Sequence, residues 1–238
     1  MDTLNVNTIE PEGGTTTINV GLSGKNVIIT DNLKANTLKD AGGNTIFTSN
    51  GSGVLSSVNS GFGSAQVLLS TQTASDSANV AFTSGIDSTY KEYIFEWINV
   101  NPATDNVQFQ FEGSTGSFGV TKTTTFFIAY HREDDSNSGL EYNATYDEAQ
   151  STDPQTLVIG LGNASDECGC GELHLFNPSS TTYVKNFYAT SQAMDHGGLG
   201  METFIGGYFN TTSAITGFRF SMTSGNVSSG TFKMYGIK

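Results

Sequence analysis

Carboxylates dominate the part of this sequence that could do chemistry. Glu133, Asp134, Asp135, Glu141, Asp147, Glu148, Asp153, Asp166, Glu167 and Glu172 follow one another with no lysine or arginine among them. Hard oxygen ligands of this kind suit Ca²⁺, which takes carboxylates and carbonyls in flexible geometry. Glu133, Asp134 and Asp135 are the first metal candidates, and a solvated acidic loop surface is the alternative reading. The spacing is not that of an EF-hand, because Asp134-Asp-Ser-Asn-Ser-Gly139 lacks a bidentate acid at the required offset.

Paired acids also serve glycosidases, but that reaction needs one carboxyl kept protonated in an apolar setting beside an ionised partner. Here the acids lie in Gly/Ser-rich segments where nothing desolvates one of them, and no catalytic residue is assigned. His131, His174 and His196 are scattered, with no HExxH or HxH pair. Asp195-His196 has no G-x-S-x-G elbow to accompany it. The only cysteines, Cys168-Gly-Cys170, are too few for a closed zinc site and too close for an unstrained disulfide. They read as reduced thiols in a Gly-rich turn, with a redox switch or half of an intersubunit metal site as the alternatives.

Binding chemistry is better supplied. Tyr142-Asn-Ala-Thr-Tyr-Asp147 sets two aromatic rings beside amide and carboxylate groups. A sugar needs a flat apolar face to stack on and nearby polar groups for its hydroxyls. Tyr142, Asn143, Tyr146 and Asp147 are therefore the glycan- or receptor-binding candidates, and Tyr183 and Tyr188 have similar surroundings. Each tyrosine has the alternative role of a half-buried framework residue.

Composition narrows the class. A formal charge of −13 leaves no basic patch for phosphates, which excludes nucleic acid as a partner. No apolar stretch is long enough to cross a bilayer, so membrane insertion is not expected. Met1-Asp-Thr-Leu-Asn5 lacks the basic and apolar regions of a signal peptide, which points to synthesis and folding in a cytoplasm. A 36% apolar share is too high for a disordered chain, and abundant Gly, Ser, Thr and Asn favour strands joined by turns over helices.

Two regions are expected. Residues 1–60 contain a single aromatic residue, Phe47, and carry apolar residues at a short, regular beat between turn signals. Leu4, Val6, Ile18, Val20, Val27, Ile29, Leu33, Leu38, Ile46 and Phe47 mark that beat. Each mini-strand is too poor in apolar groups to form a core alone, and stacking identical copies about an axis would bury the stripe. This segment is read as an intertwined, homotrimeric β-rich anchor, with a disordered linker as the alternative. Residues 61–238 hold strands of alternating character: Gln66–Ser70, Ala78–Phe82, Tyr90–Val100, Val107–Glu112, Thr124–His131, Gln155–Gly160, Glu172–Phe176, Tyr183–Ala189, Thr203–Phe209, Gly217–Met222 and Thr231–Tyr235. Phe109/Phe111, Phe126/Ile128/Tyr130 and Phe218/Phe220/Met222 each place apolar groups two apart, the mark of a strand with one buried face. The segments about Arg132–Tyr142 and Asp147–Pro154 read as long loops, and Met194–Met201 has room for one helical turn. The fold class is all-β, an antiparallel jelly-roll-type β-sandwich behind an N-terminal stalk.

The closing Ser229-Gly-Thr-Phe-Lys-Met-Tyr-Gly-Ile237 resembles the last strand of tailed-bacteriophage tail-fibre and spike proteins. Leu33-Lys-Ala-Asn-Thr-Leu38 with Asp40-Ala-Gly-Gly-Asn-Thr-Ile-Phe47 resembles segments that precede the distal domains of such fibres. The resemblance implies a virion structural protein, a homotrimer joined through its N-terminus to other tail or capsid proteins. Its head would then bind a bacterial surface glycan or protein. A head fibre, capsid decoration protein or tail adaptor is the alternative. In such a protein the Asn-X-Ser/Thr tripeptides at Asn143, Asn163, Asn210 and Asn226 are turn chemistry, not glycosylation sites.

Overall fold

The computed structural model describes residues 36–52, 55, 56, 58 and 65–238. All regular structure among them is β, in antiparallel sheets. The chain divides into two compact units, residues 1–63 and 64–238.

The first unit contains β1 (Thr37–Lys39), β2 (Thr45–Ser49) and β3 (Leu55–Ser56), ordered β1-β2-β3. Asp40 shapes the β1–β2 turn. Its Oδ1 accepts from the N–H groups of Gly42 and Asn44 at 2.9 and 2.8 Å, and its Oδ2 from Asn44 Nδ2 at 3.0 Å. The Asn44 side chain, foremost, holds the Asp40 carboxyl below its ordinary range. Leu38 pairs with Phe47 across the hairpin, yet Leu38, Ile46 and Phe47 all remain half-buried. Leu4, Val6, Ile18, Val20, Val27, Ile29 and Leu33 lie outside the described residues.

The second unit begins with β4 (Gln66–Ser77), β5 (Val80–Phe82), β6 (Glu92–Pro102), β7 (Val107–Ser114), β8 (Lys122–Arg132) and β9 (Ser138–Tyr142). It continues through β10 (Gln155–Leu161), β11 (Gly169–Phe176), β12 (Lys185–Met194), β13 (Leu199–Phe209), β14 (Gly217–Met222) and β15 (Val227–Ile237). Eight strands form one sheet in the order β4-β15-β6-β11-β12-β13-β8-β9, and four form another, β10-β7-β14-β5. Alternation in each strand decides which side chains meet between them. Phe95 and Trp97 of β6 and Phe232 of β15 face Phe109 of β7 and Phe218 and Phe220 of β14, all fully buried. The Phe95 and Phe218 rings stack across the sheets with centroids 4.4 Å apart.

Two lysines sit inside this assembly. Lys185 is fully buried, its Nζ donating to the Tyr183 and Thr211 carbonyls at 2.6 and 3.1 Å. Lys122 Nζ donates to the Asp153 carbonyl. Burial lowers the pKa of both ammonium groups.

Three local expectations change. The stretch Arg132–Tyr142 is not one long loop, because Ser138–Tyr142 forms β9 and pairs with β8 at the edge of the large sheet. Its Ser and Gly content hid a strand whose residues are all exposed. Met194–Met201 holds no helical turn. Asp195 Oδ1 accepts from Gly197 and Leu199 N–H groups at 2.8 and 2.7 Å, closing the β12–β13 hairpin. Cys168-Gly-Cys170 is not a turn but the entry to β11.

Candidate functional site

The outer face of the eight-stranded sheet displays side chains that the alternation turns away from the core. Phe126 and Ile128 point inward, so Phe127 between them points out. Pairing then builds a row across strands: Thr190 of β12 opposes Phe204 of β13, Phe204 opposes Phe127 of β8, and Phe127 opposes Tyr142 of β9. Directly opposed residues share a face. Phe127 and Phe204 stack with centroids 4.8 Å apart and planes 11° from parallel. Tyr142 ends the row, 56% exposed.

The four binding candidates divide in their surroundings. Tyr142 donates its hydroxyl to Asp147 Oδ2. That bond foremost raises the phenol pKa, since the carboxylate holds the proton on oxygen. Asn143 Oδ1 accepts from Thr145 N–H at 3.1 Å, a local turn that aims the loop. Tyr146 is different: it is half-buried, its ring lies 5.6 Å from Phe126, and its carbonyl accepts from Gln155 Nε2. It supports the loop from beneath, whereas Tyr142 presents an open ring.

A second aromatic group stands on the same face. His174 stacks on Tyr188 at 4.5 Å, with Phe176 5.8 Å from Tyr188. His174 Nδ1 lies 2.6 Å from Glu92 Oε1 and its Nε2 3.4 Å from Glu172 Oε1. Burial, with the Glu172 and Glu92 charges behind it, raises the Tyr188 phenol pKa. Adjoining both groups is a groove of about 470 Å³. Its polar lining includes Glu96, Glu172, Gln192 and Glu202, with Cys170, Thr190 and Ser191 beside them, and its apolar lining includes Ile98. Tyr235 donates to Glu96 Oε2 at 3.0 Å, anchoring one wall. Aromatic faces beside fixed carboxylates can stack on a ring and accept hydrogen bonds from hydroxyl or amine groups.

The acidic triplet does not come together as one ligand set. Asp134 accepts from Ser136 N–H at 3.0 Å and lies 3.7 Å from Arg132 Nε, while Asp135 pairs with His131 Nε2 at 3.0 Å. Glu133 lies beside Gly198, across the β12–β13 turn. Among the described residues no group of three or more His, Cys, Asp or Glu side chains is placed to hold a metal ion.

The row Phe204–Phe127–Tyr142 and the pair His174–Tyr188 were not expected as a surface. The signal for Phe127 was present, since an inward Phe126 and Ile128 require an outward neighbour. What brings it beside Phe204 is strand pairing over a long sequence separation. Comparison of the chain with protein-family models, with curated proteins and with solved structures returned no significant match.

Proposed function

We propose that this chain is a virion structural protein of a tailed bacteriophage, a homotrimeric tail fibre or spike. Its N-terminal segment attaches it to other virion proteins, and its C-terminal sandwich binds a bacterial surface glycan. It acts by binding, without catalysis. The observation that carries the reading is the outward aromatic row ending at Tyr142, beside acidic hydrogen-bond acceptors. Such surfaces stack on sugar rings, and three copies on one axis raise the effective concentration of weak sites.

Strand order supports a jelly-roll-type head. The two-sheet wiring β4-β15-β6-β11 over β10-β7-β14-β5 follows the eight-strand double Greek key, in which the first and last strands pair at one edge of a sheet. On this reading β8–β9 and β12–β13 are insertions that widen one sheet and carry the aromatic row. The half-buried Leu38, Ile46 and Phe47 support an anchor that is completed by sister copies.

Two measurements test the proposal. Sedimentation of the full chain should give a trimer, and removal of residues 1–60 should leave a folded monomeric head. A monomeric full-length protein sinks the assembly claim. A glycan array probed with the trimer should give carbohydrate hits that disappear in Tyr142→Ala. Hits unchanged by that substitution would refute the site.

A further inference from the structure

A second chemistry-bearing cluster lies where β11 enters the large sheet; it borders the groove of the outer face through Cys170, and its chemistry does not depend on glycan binding. Gly169 and Gly171 occupy inward positions. A Cβ on Gly171 would sit 2.7 Å from Trp97 Cζ2 and 2.2 Å from the Thr190 carbonyl oxygen, so only glycine fits there. Cys168 and Cys170, offset by one, therefore share the outer face, both half-buried.

The neighbouring strand is bent to meet them. The β6–β11 register shifts between Gly169 and Gly171, opposite Val100 and Trp97, and Asn99 adopts a φ of 53°. Asn tolerates that left-handed conformation better than most residues, and a bulge of this kind re-aims a side chain. The Asn99 N–H donates to Cys170 Sγ at 3.2 Å. Its Oδ1 lies 3.6 Å from Cys170 Sγ and 4.0 Å from Cys168 Sγ. Cys168 also borders a cleft of about 510 Å³, lined by Asn99, Asn101, Asn163, Ser165 and Glu167, which opens a path from solvent.

We propose that Cys168 and Cys170 are a chelating dithiol that takes one soft monovalent cation of the copper(I) class between their sulfurs, with Asn99 as its polar wall. Thiolate sulfur selects soft cations over hard ones. The chain supplies two donors here and, among the described residues, no further His, Cys, Asp or Glu to complete a set of three or more. A closed zinc site takes four ligands. Binding exchanges two S–H bonds for two sulfur–metal bonds and releases two protons to solvent, with no change in oxidation state. The Asn99 N–H, already directed at Cys170, steadies the charge that develops on sulfur.

The test is an anaerobic titration of the reduced full-length chain with copper(I) against bicinchoninate, a coloured competing chelator. Wild type should withdraw one equivalent per chain and carry one copper in native mass spectrometry. Cys168→Ser and Cys170→Ser should each abolish retention while keeping the wild-type circular dichroism. If either variant fails to fold, alkylation of the folded wild type with N-ethylmaleimide should remove retention instead. Asn99→Ala should keep the stoichiometry but weaken binding about tenfold, the scale of outer-shell effects on metal affinity. Copper held equally by the serine variants or by the alkylated protein overturns the proposal. So does a wild type whose thiols are both free to react yet hold no copper, or one that prefers zinc(II) at equal concentration.

Discussion

Replacing Phe220 by alanine should separate the core between the sheets from everything else that holds the second unit together. Phe220 is fully buried, in ring contact with Phe82, Phe109 and Phe218 of its own sheet. It also reaches Phe95, Trp97 and Phe232 of the large sheet, with centroids 6.0, 5.7 and 5.4 Å away. Truncating a buried Phe costs about 3–5 kcal/mol, and lost aromatic pairs add about 0.5–1.5 kcal/mol each where they are well oriented. Phe220→Ala therefore belongs at the upper end, about 4–5 kcal/mol, which for a unit of this size lowers Tm by roughly 8–20 °C. Phe220→Leu, which keeps most of the volume, should lose much less. Phe127→Ala is the control. Phe127 stacks on Phe204 on the outer face and is 38% exposed, so its loss should cost about 1–2 kcal/mol. Urea unfolding followed by tryptophan fluorescence reads both, because Trp97 is the only indole and lies in this core. Equal losses for Phe220→Ala and Phe127→Ala at an unchanged m-value would refute a core built between the two sheets.

Three further outcomes follow from individual residues. Tyr142→Ala should remove glycan binding and leave Tm unchanged, and in Asp147→Asn the phenol should titrate at lower pH once its carboxylate partner is gone. Ultraviolet difference titration measures that shift, and a phenol that titrates unchanged would break the link between the two groups. Burial lowers the folded-state pKa of Lys185 below the ordinary 10.5. Between the two values the unfolded chain binds a proton that the folded chain does not, so stability rises with pH across that window and is lost as pH falls through the folded pKa. Lys185→Met should flatten that slope in denaturant titrations at several pH values, and an unaltered slope would assign the pH dependence to other groups.

Much of the framework was legible from residue order. Phe218, Phe220 and Met222 are spaced for one buried face and are all buried, and Phe232 and Met234 alternate inward along β15 as their spacing requires. Each strand predicted within residues 61–238 overlaps an observed one, because alternation is a local property that a short window carries. Several strands run longer than expected: β4 extends to Ser77 through Thr, Ser and Asp residues that exert no apolar signal. β9 was illegible for the same reason. Its pairing with β8 holds it in place, and none of its side chains is buried.

The candidate sites separate along the same line. That Tyr142 and Asp147 are near one another follows from five residues of chain, and that Phe127 points outward follows from its inward neighbours. Which strand lies beside β8 does not follow, and on that choice depends whether Phe204 and Tyr142 meet Phe127 or solvent. Cys168 and Cys170 share a face because they are two apart in an extended segment. Only the tertiary structure decides that the segment is extended, and only the bulge on β6 brings Asn99 to the sulfurs. Residue order determines each strand's apolar face through local sterics and hydrophobicity. The partner across the sheet is chosen by how all the faces together bury their area, and no single strand carries that information.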